Sequence, residues 1–279
     1  MRKEAILTCV KLLAQNETVA THGEFSFIVS KVIQKLLVAC CSEPDKSLRK
    51  LVLELLDSKF DFYLSQQSNI EILLLILNDS EYEIRDIVVS SLGRICQTNP
   101  SLIVPNLRIL FSNLLFELKI ASTPDNKEIC CNSITNLVKY TPSTIVKPLV
   151  DIGISSLSPL LEEPQNKVVA SCLKAIGEIG KYCGRNNKSI EILIPRVISI
   201  VQEFQTSSIR QDSALHTLSQ LLRGIGYVIE PFLKYPNLIG TLTDIIKQET
   251  NPSIRVSVFR LWVRKKRKNQ SLIFYFLFT

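Results

Sequence analysis

Val88-Val89-Ser90-Ser91-Leu92-Gly93-Arg94-Ile95, closed by Pro100, is answered three more times in the chain at a constant step of 42 residues. The pair Leu92/Ile95 becomes Ile134/Leu137, Ile176/Ile179 and Leu218/Leu221, and the upstream pair Val88-Val89 becomes Cys130-Cys131, Cys172-Leu173 and Ala214-Leu215. The breakers Pro100, Pro142, Gly184 and Gly226 keep the same step. Apolar residues one turn before, at, and one turn after a given position mark one face of an amphipathic helix. A unit of 42 residues is too long for tetratricopeptide or ankyrin arrays, whose units run to about 33–34 residues, and fits HEAT or armadillo units.

Working outward from these four helices, apolar stretches between them read as partner helices. First helices are expected near 25–41, 64–77, 101–118, 143–162, 187–205 and 228–248. Second helices are expected near 46–60, 82–97, 126–140, 166–182, 207–224 and 252–262, with 3–14 as the second helix of an earlier pair. Two long helices per unit favour HEAT over armadillo, which adds a short third helix. The fold class is therefore all-α, an α-α superhelix (HEAT/armadillo-like solenoid) of about six helix pairs covering 1–261. Asn78-Asp79-Ser80 and Thr206-Ser207-Ser208 carry oxygen side chains suited to cap the helices that follow. Pro105, Pro148, Pro195 and Pro236 recur near the first helices, where each belongs in a first turn or at a kink.

Composition narrows the function. The chain has 279 residues, 46% hydrophobic and 21% charged, which is enough for an extensive core. Its net charge of +7 is concentrated, because Arg260, Arg264, Lys265, Lys266, Arg267 and Lys268 supply six of the excess positives. Residues 1–259 are nearly neutral and carry no phosphate-binding footprint, so no nucleic-acid partner is expected. The eight cysteines form no C-x-x-C pair and read as reduced thiols. Met1-Arg2-Lys3 is not expected to open a secretory leader, since Glu4 and Lys11 interrupt the apolar run. No stretch is expected to reach the length of a bilayer span, and hence no transmembrane segment.

The repeat fails near Trp262. Residues 262–279 combine a basic run with Phe274-Tyr275-Phe276-Leu277-Phe278 and read as an aberrant or disordered basic/aromatic tail, from a shifted frame or an unspliced intron. The run 264–268 has a nuclear-localisation or membrane-surface reading as its rival.

Candidate chemistry is sparse. Cys130, Cys131 and Cys172 stand in the core stripe and read as small hydrophobes, and His22 and His216 are the only imidazoles. Gly177-Glu178-Ile179-Gly180 and Gly224-Ile225-Gly226 look like pieces of phosphate loops, but neither completes G-x-G-x-x-G. Both are expected to terminate helices. The sequence holds no G-x-x-x-x-G-K, H-R-D or D-F-G motif. No catalytic, cofactor-binding or metal residue is assigned, no cofactor is expected, and partner-binding residues are left open. Asp79 with Arg85, and the polar or basic residues at matching places (Arg49, Lys127, Arg210, Arg255), suit an Asp/Arg ladder between adjacent units.

Leu77-Asn78-Asp79-Ser80-Glu81-Tyr82-Glu83-Ile84-Arg85-Asp86, then Leu92-Gly93-Arg94 and Asn99-Pro100, resemble a HEAT segment of target-of-rapamycin (TOR) kinases. The likeness strengthens at 211–222 (QDSALHTLSQLL) and is clearest at 226–238, which is similar to that family's GYV-x-EP-x-x-KYP-x-L stretch. It covers about 60–260, with 1–59 looser. The resemblance implies the N-terminal HEAT-repeat region of a large serine/threonine kinase of the phosphatidylinositol-kinase-related family, in nutrient and growth signalling. It implies protein partners such as a Raptor-like subunit, self-association, and a cytoplasmic location, with nuclear or endomembrane-peripheral sites as variants. The kinase domain lies outside the resembling stretch, so no catalytic residue is carried over and this chain is expected not to be an enzyme. The alternatives are a free-standing HEAT adaptor of the nuclear-transport or phosphatase-scaffold type and a non-functional truncated gene product.

Overall fold

The computed structural model describes residues 2–15, 23–96, 98–184, 187–203, 207–226, 230–248, 252 and 254–259. Among them there is no strand. The helices in chain order are α1 (Arg2–Gln15), α2 (Gly23–Ser42), α3 (Lys46–Leu55), α4 (Asp61–Leu64), α5 (Gln67–Ile76), α6 (Tyr82–Ile95), α7 (Pro100–Ile120) and α8 (Pro124–Tyr140). They continue with α9 (Ser143–Val146), α10 (Val150–Leu157), α11 (Asn166–Gly180), α12 (Lys188–Gln202), α13 (Ser208–Ile225), α14 (Glu230–Lys234) and α15 (Asn237–Gln248). Residues 254–259 begin a further turn of helix. The tail expected over 262–279, the basic run 264–268 and His22 lie outside the described residues.

The chain forms two compact units, one of 1–114 with 139–145 and one of 115–138 with 146–279. In the first, α2 packs on α5 to make one layer, while α1, α3 and α6 pack in succession to make the other. Each pair, α2 with α3 and α5 with α6, crosses between the layers. The second unit repeats the scheme, with α10 on α12 in one layer, α11 on α13 in the other, and the pairs α10/α11 and α12/α13 joining them. A helix pair with two apolar faces cannot bury both alone, so stacking of neighbours creates the core.

The repeated seam is that core. Leu92, Ile95, Ile134, Leu137, Ile176, Ile179, Leu218 and Leu221 are all buried, as are Val88, Cys131, Cys172, Leu173, Ala214 and Leu215. Two of the breakers share a conformation as well as a spacing. Gly184 and Gly226 both hold a left-handed backbone, with φ of 73° and 76°, and Gly226 caps α13 through its N–H to the Leu222 carbonyl. An L side chain is disfavoured there, which is why the repeat ends on glycine at both places.

Several boundaries differ from the sequence expectation. The second helix expected over 46–60 stops at Leu55, because Asp57 turns its carboxylate onto the Lys59 N–H and starts a separate turn at Ser58–Phe60. The first helix expected over 143–162 is α9, a 3-10 turn at Lys147–Leu149, α10 and a second 3-10 turn at Ser158–Glu162. Pro148 and Pro159 head the two tight turns, where their missing N–H costs least. The stretch expected over 228–248 breaks at Tyr235-Pro236 between α14 and α15. Pro105 and Pro195 instead lie inside α7 and α12.

The expected caps are also revised. Asp79 accepts from the Glu81 N–H at 2.9 Å, one residue before α6 begins, and Ser207 precedes α13 with no side-chain cap bond. Asp45 and Asn187 do cap, receiving the N–H groups of Ser47 and Ile190.

A further correction concerns length. By length and composition α7, with 21 residues and mean hydropathy 1.3, does reach a bilayer span, as does the 143–162 stretch. Its apolar residues Ile103, Leu107, Phe111, Leu114 and Leu118 recur at helical spacing and are buried inside the protein, while Arg108, Asn113 and Lys119 face out. One face of α7 serves the core, while Ile109, Phe116 and Ile120 of the same helix are more than half exposed.

Candidate protein-binding surface

The ladder expected from sequence exists in part, with different partners. Arg49 of α3 grips Asp79 in the loop before α6, Nε to Oδ2 at 2.9 Å and Nη2 to Oδ1 at 3.1 Å. The same guanidinium donates to the carbonyls of Glu43 and Pro44 at 2.9 and 3.1 Å. One arginine thus ties two successive loops to each other. Lys127 of α8 repeats the motif with Glu163, 2.6 Å away in the loop before α11. Asp79 and Glu163 each stand three residues ahead of their helix, and Arg49 and Lys127 each stand three residues inside theirs. The Arg85 guanidinium lies 4.1 Å over the Tyr82 ring. Arg210 reaches back to Glu203 at 3.7 Å, and Arg255 is exposed. The Arg49–Asp79 and Lys127–Glu163 rungs are largely shielded between stacked helices, which is a structural placement.

The thiols are chemically quiet. Burial pushes the Cys40 thiol up to about 12 and Cys183 to about 11, and raises Cys96 and Cys172 as well. A protonated buried thiol is neither nucleophile nor ligand. Among the described residues no group of three or more His, Cys, Asp or Glu is arranged to hold a metal ion. His216 sits in α13 beside Gln220, with Nε2 to Nε2 at 3.3 Å.

The glycine motifs serve packing, which corrects the expectation that all of them end helices. Gly177 lies inside α11 and Gly224 inside α13. A Cβ on Gly224 would stand 1.9 Å from the Gly180 carbonyl oxygen, and one on Gly177 would stand 3.2 Å from the Thr217 Cα. Bare backbone therefore lets α11 and α13 approach closely. Thr217 uses that approach to donate its hydroxyl to the Leu173 carbonyl at 2.6 Å.

Among the described residues, what the arrangement offers is surface chemistry. On the first unit an open groove of about 720 Å³ has apolar Leu48, Leu51 and Ile84 beside charged Lys46, Lys50 and Glu83. Its charges largely satisfy one another, Lys50 with Glu83 at 2.8 Å and Lys46 with Glu81 at 3.6 Å. The Lys50–Glu83 hydrogen bond raises the lysine pKa and lowers that of the glutamate.

The second unit presents something different on its first-helix layer. Ile152 of α10, Ile192 of α12 and Leu233 of α14 are 56%, 71% and 77% exposed, one large aliphatic per repeat. α10 is linked laterally to α12, and α12 to α15. Asn187 and Ser189 both donate to Asp151 Oδ1, at 2.9 and 3.0 Å, and Gln202 of α12 donates to Thr241 of α15 at 3.4 Å. Pattern reading missed this row, because an exposed Ile inside an apolar helix is indistinguishable by type from a buried one.

Paired helices in two layers, with a buried seam that recurs every 42 residues, define a helical-repeat scaffold of the HEAT/armadillo type. Solved structures share that fold. Kap121p bound to Pho4p matches 88% of this chain and 24% of its own length with a TM-score of 0.63 at 17% identity. A designed armadillo repeat protein matches 82% of this chain and 98% of its own with a TM-score of 0.52 at 15% identity. No family model matches the chain. Among curated proteins, the serine/threonine-protein kinase TOR2 of Saccharomyces cerevisiae is 33% identical over 265 residues, 94% of this chain and 10% of the kinase. The serine/threonine-protein kinase mTor of Drosophila melanogaster is 32% identical over 270 residues, 94% of this chain and 11% of the kinase. The chain is homologous, over nearly all of its residues, to a helical-repeat segment of the target-of-rapamycin kinases, and it spans about a tenth of the length of these relatives.

Proposed function

We propose that this chain is a non-catalytic HEAT scaffold of a TOR-like serine/threonine kinase and acts by protein–protein contact in TOR nutrient and growth signalling. The observation that carries the reading is the match of 94% of the chain to TOR kinases, on a helical-repeat fold. A stacked solenoid keeps its helix faces and inter-helix loops in fixed register, and such surfaces recognise extended or helical segments of other proteins. The partners in this reading are TOR-complex subunits, including a Raptor-like protein, and further copies of the kinase. Residues 1–261 form the solenoid, 262–279 are a separate tail, and the site of action is the cytoplasm.

The test is affinity purification of the tagged full chain from cells, with quantitative mass spectrometry and a kinase assay on the isolated chain. Enrichment of TOR-complex subunits, with no phosphate transfer by the chain alone, is the expected result. Enrichment of nuclear-transport cargo or of a phosphatase catalytic subunit in their place would assign it to a free-standing adaptor.

A further inference from the structure

We infer that Thr123, in the connector between α7 and α8, is a phosphorylation site for a proline-directed protein kinase. Modification there goes beyond the scaffold reading and does not depend on it.

Such a kinase holds its substrate extended and takes proline in the next position, because proline brings no N–H to lie unpaired in an apolar pocket. The sequence has three such steps, Thr123-Pro124, Thr141-Pro142 and Ser158-Pro159. All three stand at helix starts or tight turns, where a hydroxyl and a proline also serve the backbone, so the dipeptide alone decides nothing. Burial separates them. Thr141 is 6% exposed and follows Tyr140, which lies so close to Gly93 of α6 that a Cβ there would stand 2.5 Å from the Tyr140 Cβ. Ser158 donates its hydroxyl to the Ile154 carbonyl at 2.7 Å and is flanked by buried Leu157, Leu160 and Leu161. Drawing either one out into an extended strand would pull core side chains into water.

Thr123 carries no such cost. Residues 122–126 are all exposed, and a residue before proline already disfavours the helical backbone. Its side-chain oxygen accepts the Asn126 N–H at 3.4 Å, and its carbonyl accepts the Lys127 N–H at 3.2 Å. Opening the first turn of α8 loses those two bonds and reaches no fully buried side chain before Cys130. Local opening of so little packed structure is low in free energy. The step itself transfers the γ-phosphoryl group of ATP. The Thr123 oxygen forms the new bond to phosphorus, the bond to the β-phosphate oxygen breaks, ADP leaves, and the hydroxyl proton passes to the kinase's base. The product adds about 1.5 to 2 negative charges to the connector at neutral pH. The Asn126 N–H and the helix dipole favour an anion at that end of α8, against the like charge of exposed Asp125.

The test incubates the folded full chain with ATP and a recombinant mitogen-activated protein kinase, and separately with a cyclin-dependent kinase. Phosphate uptake is followed over time and mapped by mass spectrometry. Uptake on Thr123 is expected, with Thr141 and Ser158 unmodified and circular dichroism unchanged. Thr123→Ala should abolish it. Pro124→Ala, which brings an unpaired N–H into the enzyme's pocket, should slow it by roughly tenfold or more. Both substituted side chains are exposed, so both variants should keep the circular dichroism of the parent. Uptake with neither enzyme, uptake on another residue in preference to Thr123, or a rate indifferent to Pro124→Ala overturns the inference. So does modification of Thr123 that appears only once the chain has been heat-denatured. Co-purification of TOR-complex subunits plays no part in these outcomes, so this site and the scaffold reading fail separately.

Discussion

Arg49 and Asp79, thirty positions apart, meet through two parallel hydrogen bonds of 2.9 and 3.1 Å, with only 12% and 11% of their side chains exposed. Ion pairs so far out of water cost much to break singly, because the surviving charge is stranded. Arg49→Ala is expected to destabilise the first unit by about 3–5 kcal/mol. Urea unfolding of Arg49→Ala, Asp79→Ala and the double variant measures this, and the double variant should lose far less than the sum.

The buried seam predicts a contrast between isoleucines. Ile134→Ala and Ile176→Ala leave cavities among fully buried neighbours and should each cost about 2–5 kcal/mol. Ile192→Ala, at an exposed position, should stay within about 0.5 kcal/mol of wild type. Circular dichroism in urea separates the two outcomes.

Glycine to alanine should change sign between two sites. At Gly224 the new methyl would meet the Gly180 carbonyl and the Cys183 sulfur 2.8 Å away, forcing α13 off α11 at a cost of about 1–3 kcal/mol. At Gly240 within α15 nothing lies within 4 Å, and alanine should stabilise the helix by about 0.5–1 kcal/mol. Thermal denaturation of the two variants, scored as a lower and a higher midpoint, is the check.

Stability should fall in alkali through Cys40. Its thiol keeps its proton up to about 12 in the folded chain, against an ordinary value of 9.0, chiefly because burial excludes the thiolate. Between those values the unfolded chain binds fewer protons than the folded one, so the free energy of unfolding declines as pH rises. Below the lower value the thiol contributes no slope. Urea midpoints measured from neutral pH into this window should decline, and Cys40→Ala should flatten the decline.

Much of the fold was legible because the second helices repeat one chemistry at one spacing. Leu92, Ile134, Ile176 and Leu218 could be set in register before any coordinates, and all four are buried. The first helices were harder, since their register is broken by Pro148 and Pro159 and by the turn that Asp57 starts. The donor side of the ladder was readable, but the partner of Asp79 was not, because Arg49 comes from the preceding pair. The role of Gly177, Gly180 and Gly224 depends on what stands opposite each, and a single helix does not record that. The exposed row was invisible for a related reason. Ile192 and its buried neighbour Ile190 differ only in which side of α12 they occupy.

A chain that works as a TOR scaffold segment should stand in for its counterpart within a TOR kinase. The most direct test replaces the matching segment of Saccharomyces cerevisiae TOR2 with this chain's residues 1–259 and measures which TOR-complex subunits co-purify with the chimera. Recovery of the same subunits as wild type, with kinase activity retained, is expected. A chimera that is expressed and folded yet recovers none of them would contradict it.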